Sequence, residues 1–126
     1  MDLRTPLARA RGLGSAKEGL NHWWAQRVTA VALVPLTLWF VVSLLTVVGE
    51  DYAQLAAWIG SPLNTVLLVA FLFSMYYHVY LGLQVVIEDY VHTEAVKLAT
   101  LLAVKFLLIL LGAAAILAVL RIAFGG

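Results

Sequence analysis

Long apolar segments separated by short polar connectors make up most of this chain. Val28 to Val48 contains 21 residues without a charged side chain, and about 20 apolar residues suffice for a helix to cross a hydrocarbon core of roughly 30 Å. Two further apolar runs extend from Pro62 to Ile87 and from Leu98 to Leu120. The pattern predicts an all-α membrane protein with three transmembrane helices, at about residues 28–48, 62–87 and 98–120.

Composition supports this class and excludes others. Hydrophobic residues make up 63% of the 126 residues and charged residues only 12%, which is far outside the range of soluble domains. The chain has no cysteine, so it holds no disulfide, thiolate nucleophile or cysteine-ligated cluster. We find no hydrolytic triad, phosphate-binding loop, pore-lining charge series or nucleic-acid module.

The basic residues predict how the chain is oriented. Residues 1–27 contain five Lys or Arg side chains against two acidic ones, and the first connector contains no basic residue. We interpret 1–27 as a cytoplasmic basic arm and interfacial segment, in which Gly12 and Gly14 disfavour a long helix, and 28–126 as the transmembrane domain. The positive-inside rule places the amino terminus in the cytoplasm, or in the matrix if the protein is mitochondrial.

His78 is the residue in the second span that most needs an explanation. A neutral imidazole in lipid must find a partner, which could be a neighbouring helix, a bound ligand or a proton relay. Gly82, one turn further on nearly the same face, leaves room for a flat ligand or a close helix. His22 and His92 lie at the membrane ends, so a six-coordinate haem iron bound by His78 would need its other ligand from another polypeptide.

Asp89 and Tyr90 end the same span. Asp89 follows His78 by eleven residues, which brings it back to within about 20° on the helix and displaces it by roughly 16 Å along the axis. The topology puts Arg27 at the same membrane surface. A phenol oriented by a carboxylate and a guanidinium can donate to a quinone carbonyl oxygen, but an ordinary helix end with an aromatic anchor would look the same.

Two segments together resemble a known family. NHWWAQRVTAVALVPL precedes and enters the first span, and HVYLGLQVVIEDYVH closes the second. The second has a histidine, a glycine four residues later and Asp-Tyr eleven and twelve later. This arrangement is similar to the hydrophobic membrane anchor subunit of succinate dehydrogenase, respiratory complex II.

The resemblance implies a heteromeric transmembrane helix bundle of the tricarboxylic acid cycle and respiratory chain. A flavoprotein with FAD and an iron-sulfur subunit would deliver electrons from succinate, and a second cytochrome b membrane subunit would share haem b. In the bacterial cytoplasmic membrane, or less readily the mitochondrial inner membrane, this pair would help reduce ubiquinone. The anchor alone would have no activity and no nucleic-acid partner.

By position, the resemblance gives each candidate residue a role. His78 would be an axial ligand of the haem iron, and Tyr90 would donate a hydrogen bond to the quinone. Asp89 would lie beside Tyr90, and Arg27 near the quinone and the haem propionates. The alternatives are the anchor of a related fumarate reductase, or a structural scaffold in which His78 only joins two helices.

The orientation can be tested with a reporter domain fused after Gly126. Because three spans separate the termini, we expect the reporter to be exposed on the side opposite the cytoplasm. Fusion to the amino terminus is the matched control and should give a cytoplasmic signal. A cytoplasmic signal from the carboxyl-terminal fusion would contradict the predicted orientation.

Overall fold

The computed structural model describes residues 17–125, with side chains from residue 19 onward, and these residues form four α-helices. The helices are α1 (Lys17–Val47), α2 (Tyr52–Gly60), α3 (Pro62–Tyr90) and α4 (Glu94–Ala123). Three of them, α1, α3 and α4, are long and apolar enough to cross a membrane. The predicted all-α architecture with three spans is therefore confirmed, whereas residues 1–16 of the predicted arm lie outside the described residues.

The first span is part of a longer helix than the apolar run alone predicts. The chain is helical from Lys17, so residues 17–27, assigned to the arm and interfacial segment, continue into the span. Pro35 lies inside α1 without ending it, although its ring removes one backbone donor. With 31 residues, α1 is about 47 Å long, which exceeds the hydrocarbon thickness and allows its first turns to project from the membrane.

The connector between the first two spans contains a helix that the hydrophobic pattern did not predict. The Asp51 carboxylate caps it by accepting a hydrogen bond from the backbone N–H of Gln54, at 2.9 Å. Trp58 on α2 stacks on Trp39 of α1, with 5.9 Å between the ring centroids. Because the tryptophan stack holds α2 against α1 and α2 also packs on α4, the connector is a packed cap at one end of the bundle.

α3 lies between the other two long helices. It packs along α1 on one side and along α4 on the other, and within the described residues α1 and α4 have no close backbone contact. A Cβ atom added to Gly112 of α4 would lie 3.3 Å from Cγ of Tyr76, so this glycine permits the close approach expected of small residues between membrane helices. Successive long helices run antiparallel, which brings the start of α1 and the end of α3 to the same end of the bundle.

The chain by itself buries very little. Among the described residues, the buried hydrophobic side chains are Leu68, Leu81 and Ile87. Most other large apolar side chains on the three long helices are exposed. These outer faces are suited to lipid or to further transmembrane polypeptides, because in water they would form an extensive exposed apolar surface.

Candidate functional site

His78 finds its partner on the neighbouring helix. Its Nδ1 atom lies 2.9 Å from the hydroxyl Oγ1 of Thr29 on α1, within hydrogen-bond distance. Thr29 is only 8% exposed, and its hydroxyl is also 2.8 Å from the carbonyl oxygen of Ala25, one turn earlier. The helix-to-helix bond considered from the sequence is therefore present.

This bond does not exclude a ligand role for His78. Imidazole has two ring nitrogens, and the bond to Thr29 uses only Nδ1. Within the described part of the chain, no hydrogen bond involves Nε2. A hydrogen bond between membrane helices contributes about 0.6 kcal/mol on average. This is small compared with the free energy of van der Waals packing along two long helices. The contact therefore matters more for the orientation of the ring than for whether α1 and α3 associate.

Thr29 belongs to a polar stripe on α1 that consists of His22, Gln26 and Thr29. The spacing of four and then three residues puts these side chains on one helix face, and the contact between Thr29 and His78 shows that this face meets α3. Nε2 of His22 and Oε1 of Gln26 are buried, with no hydrogen-bond partner among the described residues. This stripe is not among the site residues predicted from the sequence, although a spacing of four and three residues between polar side chains indicates a shared helix face.

Gly82 lets the stripe approach α3 closely. A Cβ atom added to Gly82 would lie 3.8 Å from Nε2 of Gln26, so the space beside this glycine is occupied by the glutamine side chain. From the sequence, Gly82 could leave room either for a flat ligand or for close approach of another helix, and the structure shows close approach of α1. The contact also gives the register of the two helices, with Gln26 level with Gly82 and Thr29 level with His78.

This register places Arg27 far from Asp89 along the bundle. Arg27 is level with about residue 80, and the nine further residues to Asp89 correspond to roughly 13 Å. Arg27 also precedes Thr29 by two residues, which turns it by about 200° to the opposite face of α1. There its guanidinium lies over the Trp23 ring, 5.4 Å from the centroid. The structure thus puts Arg27 in the same half of the bundle as Asp89 without bringing the two into contact.

Asp89 and Tyr90 point in different directions from the end of α3. Asp89 shares the face of His78 towards α1, whereas Tyr90 is displaced from His78 by about 120° around the helix. Tyr90 is the last residue of α3, and its side chain is 77% exposed. Its phenol is therefore accessible to a molecule that approaches from outside this chain.

At this site, His78 is the side chain that could ligate a metal ion. Among the described residues, no group of three or more His, Cys, Asp or Glu side chains could hold a metal ion. A six-coordinate haem iron takes two axial ligands from side chains, and His78 offers one ring nitrogen, Nε2, on a partly exposed side chain. The site fits half of a haem-binding site that a second polypeptide would complete.

A separate groove of about 380 Å³ lies between α3 and α4, on the side of α3 away from Thr29. Its walls are almost entirely apolar, with one lysine, and consist of Leu72, Phe73, Tyr76, Tyr77, Tyr80, Lys105, Leu108, Ile109, Gly112, Ala113 and Ile116. Because it shares no residue with the polar stripe or with the end of α3, we treat it as distinct from the candidate site.

The fold and the site together define a helical membrane protein with one histidine, His78, in the middle of its second span and with most of its large apolar side chains exposed. Residues 1–112 match the family model described as "Succinate dehydrogenase/Fumarate reductase transmembrane subunit". The chain therefore belongs to this family as a membrane anchor subunit, and the resemblance inferred from its two motifs is confirmed.

Curated relatives have matching names. A "Succinate dehydrogenase hydrophobic membrane anchor subunit" of Rickettsia bellii is 36% identical over 118 residues, covering 94% of both chains. A protein of the same name from Paracoccus denitrificans is 36% identical over 102 residues, or 81% of this chain and 79% of the relative. A "Succinate dehydrogenase membrane anchor subunit" of Reclinomonas americana is 28% identical over 96 residues, covering 74% and 80%.

The register of α1 on α3 can be tested by cross-linking, because the chain has no native cysteine. In the double variant Gln26→Cys, Gly82→Cys, we expect a short bifunctional thiol reagent to join the two helices, since these side chains meet in the structure. The product is an internally bridged chain, detected by the mass of the peptides after proteolysis.

The matched control is Arg27→Cys, Gly82→Cys. It moves one cysteine by a single residue and by about 100° around α1, away from the stripe. We expect no bridge between these two positions. Equal cross-linking of both pairs would contradict the register and the direction in which the polar stripe faces.

Proposed function

We propose that this protein is the membrane anchor subunit of a succinate:ubiquinone oxidoreductase, in which it supplies half of a haem b site and part of the ubiquinone reduction site. The observation that supports this most is His78, which is bonded through Nδ1 to α1 while Nε2 has no partner in the described chain. The names of the curated relatives, all succinate dehydrogenase subunits, favour this enzyme over a related fumarate reductase.

On the haem side, His78 would provide one axial ligand through Nε2. The second would come from the partner cytochrome b membrane subunit, since this chain offers no other histidine at that depth. When bound, haem b would supply a one-electron redox centre within the membrane. The protein's own contribution is to orient the imidazole and to exclude water with the packed α1–α3 interface.

On the quinone side, the exposed phenol of Tyr90 would donate a hydrogen bond to a quinone carbonyl oxygen. Asp89, one residue earlier on the face towards α1, would help to orient bound water or pass protons to the reduced quinone. Arg27 lies at the level of His78 rather than of Asp89. Because Arg27 also faces away from α3, over the Trp23 ring, we propose it for the wider surroundings of the site and not for direct contact with the quinone head group.

The remaining parts of the complex would cover the exposed surface of this chain. A flavoprotein with FAD and an iron-sulfur subunit would oxidise succinate and pass the electrons to the membrane, on the side where α3 ends. The small internal core supports assembly with a second membrane subunit, and we expect no activity from this chain alone. We assign the complex to the bacterial cytoplasmic membrane, with the amino terminus in the cytoplasm.

The haem assignment predicts that His78→Ala removes low-spin haem from the purified complex. Loss of the axial nitrogen should abolish the reduced-minus-oxidised absorbance of haem b. If haem is retained, its iron should have a different ligation state, visible in the ferric electron paramagnetic resonance spectrum. His92→Ala is the matched control, because His92 lies exposed in the connector after α3. An assembled His78→Ala complex with the parent spectrum would support the scaffold role instead.

The quinone assignment predicts that Tyr90→Phe lowers ubiquinone reduction by about tenfold or more, because one hydrogen-bond donor to the developing charge is lost. Succinate oxidation with an artificial acceptor that takes electrons before the membrane should stay at the parent rate. Tyr52→Phe is the control, since Tyr52 is similarly exposed but lies at the other end of the bundle. Equal rates in both assays for Tyr90→Phe would rule out this role.

A further inference from the structure

The Thr29 hydroxyl lies within hydrogen-bond distance of three atoms, two carbonyl oxygens on its own helix and one ring nitrogen of His78. Its Oγ1 lies 2.8 Å from the carbonyl oxygen of Ala25, 3.1 Å from that of Gln26 and 2.9 Å from Nδ1 of His78. A hydroxyl has one proton, and carbonyl oxygens can only accept. When the proton is donated to a carbonyl, the hydroxyl oxygen presents a lone pair to the histidine.

We propose that Thr29 is a positioning residue for His78: it accepts a hydrogen bond from Nδ1–H and so selects the tautomer whose Nε2 lone pair is free for a haem iron. This inference rests on the proposed function. It adds a defined role for a residue that the two family motifs did not single out.

The geometry of the ring supports this role. The two nitrogens lie on different edges of the imidazole, so a bond from Nδ1 to α1 turns Nε2 away from α1. Metal-ligating histidines commonly donate their other N–H to an oxygen acceptor, which fixes the ring and makes the ligating nitrogen more basic. Thr29 is buried, and its own hydroxyl is tied to the preceding turn of α1, so the acceptor is held in place.

Removing the Thr29 hydroxyl should change the midpoint potential of the haem iron more than it changes the stability of the fold. In Thr29→Val the side chain keeps its shape but loses the oxygen, so Nδ1–H has no acceptor and Nε2 becomes less basic. A less basic ligand stabilises ferric iron less, so the haem midpoint potential should rise. Losing such a hydrogen-bond partner commonly lowers metal affinity tenfold or more. If the affinity of His78 for ferric iron, relative to ferrous iron, falls about tenfold, the haem midpoint potential rises by about 59 mV for one electron.

The experiment uses the complete purified complex and compares three variants with the parent. Thr29→Val should raise the haem potential and change the low-spin ferric electron paramagnetic resonance signal. Thr29→Ser, which keeps a hydroxyl, should resemble the parent in both. Thr100→Val is the matched control, because Thr100 makes the same kind of bond to its own helix, 2.7 Å to the carbonyl of Val96, on α4.

An unchanged potential and resonance signal in assembled Thr29→Val would overturn the proposal, even if that variant were less heat-stable. If Thr29→Val does not assemble, Thr29→Ala decides by the same two readouts. The result is separable from that of the proposed function. Loss of the haem signal in His78→Ala with no effect at Thr29 would remove only the positioning role, whereas the parent signal in His78→Ala would remove the ligand itself.

Discussion

A polar side chain in hydrocarbon costs free energy unless it is bonded, and this cost determines which faces of α1 and α3 meet. α1 has one polar stripe, formed by His22, Gln26 and Thr29, and α3 has His78 in the middle of its apolar length. Turning the stripe towards α3 removes it from lipid and gives His78 the Thr29 hydroxyl. The glycine at position 82 then allows Gln26 to fit against α3, and the register of the two helices follows from these two contacts.

That register separates the candidate site into two levels on a single helix. His78 lies at membrane depth, held through one ring nitrogen, while Asp89 and Tyr90 lie roughly 16 Å further along α3 at its end. Since one rigid helix positions both levels, a haem bound at the first and a quinone bound at the second would have a fixed separation. Arg27 belongs to the first level by its position on α1, although the topology alone would group it with the second.

Both proposed sites would need groups from outside this chain. His78 offers one nitrogen where a six-coordinate iron needs two ligands, and the Tyr90 phenol is exposed. The three long helices likewise bury few side chains among themselves. These observations agree with membership of a family of transmembrane subunits, because exposed apolar faces on a subunit can be covered by lipid or by neighbouring polypeptides.

The amino-acid sequence by itself determined the fold class and the site candidates, because a span must satisfy its own backbone in lipid and long apolar runs can do so only as helices. It also identified His78, Asp89 and Tyr90, since an imidazole within a span and an acidic-aromatic pair at its end stand out from the apolar background. Hydropathy did not predict α2, whose formation depends on the Asp51 cap and on packing of Trp58 against Trp39.

Only the tertiary structure decided what surrounds these residues. The pairing of Thr29 with His78, and the 13 Å between the levels of Arg27 and Asp89, depend on how two helices far apart in sequence are rotated and aligned. Periodicity gives the face of each helix but not its register against another helix. That register is set by side chains in contact across the interface, where a hydroxyl meets an imidazole and a glutamine lies over a glycine.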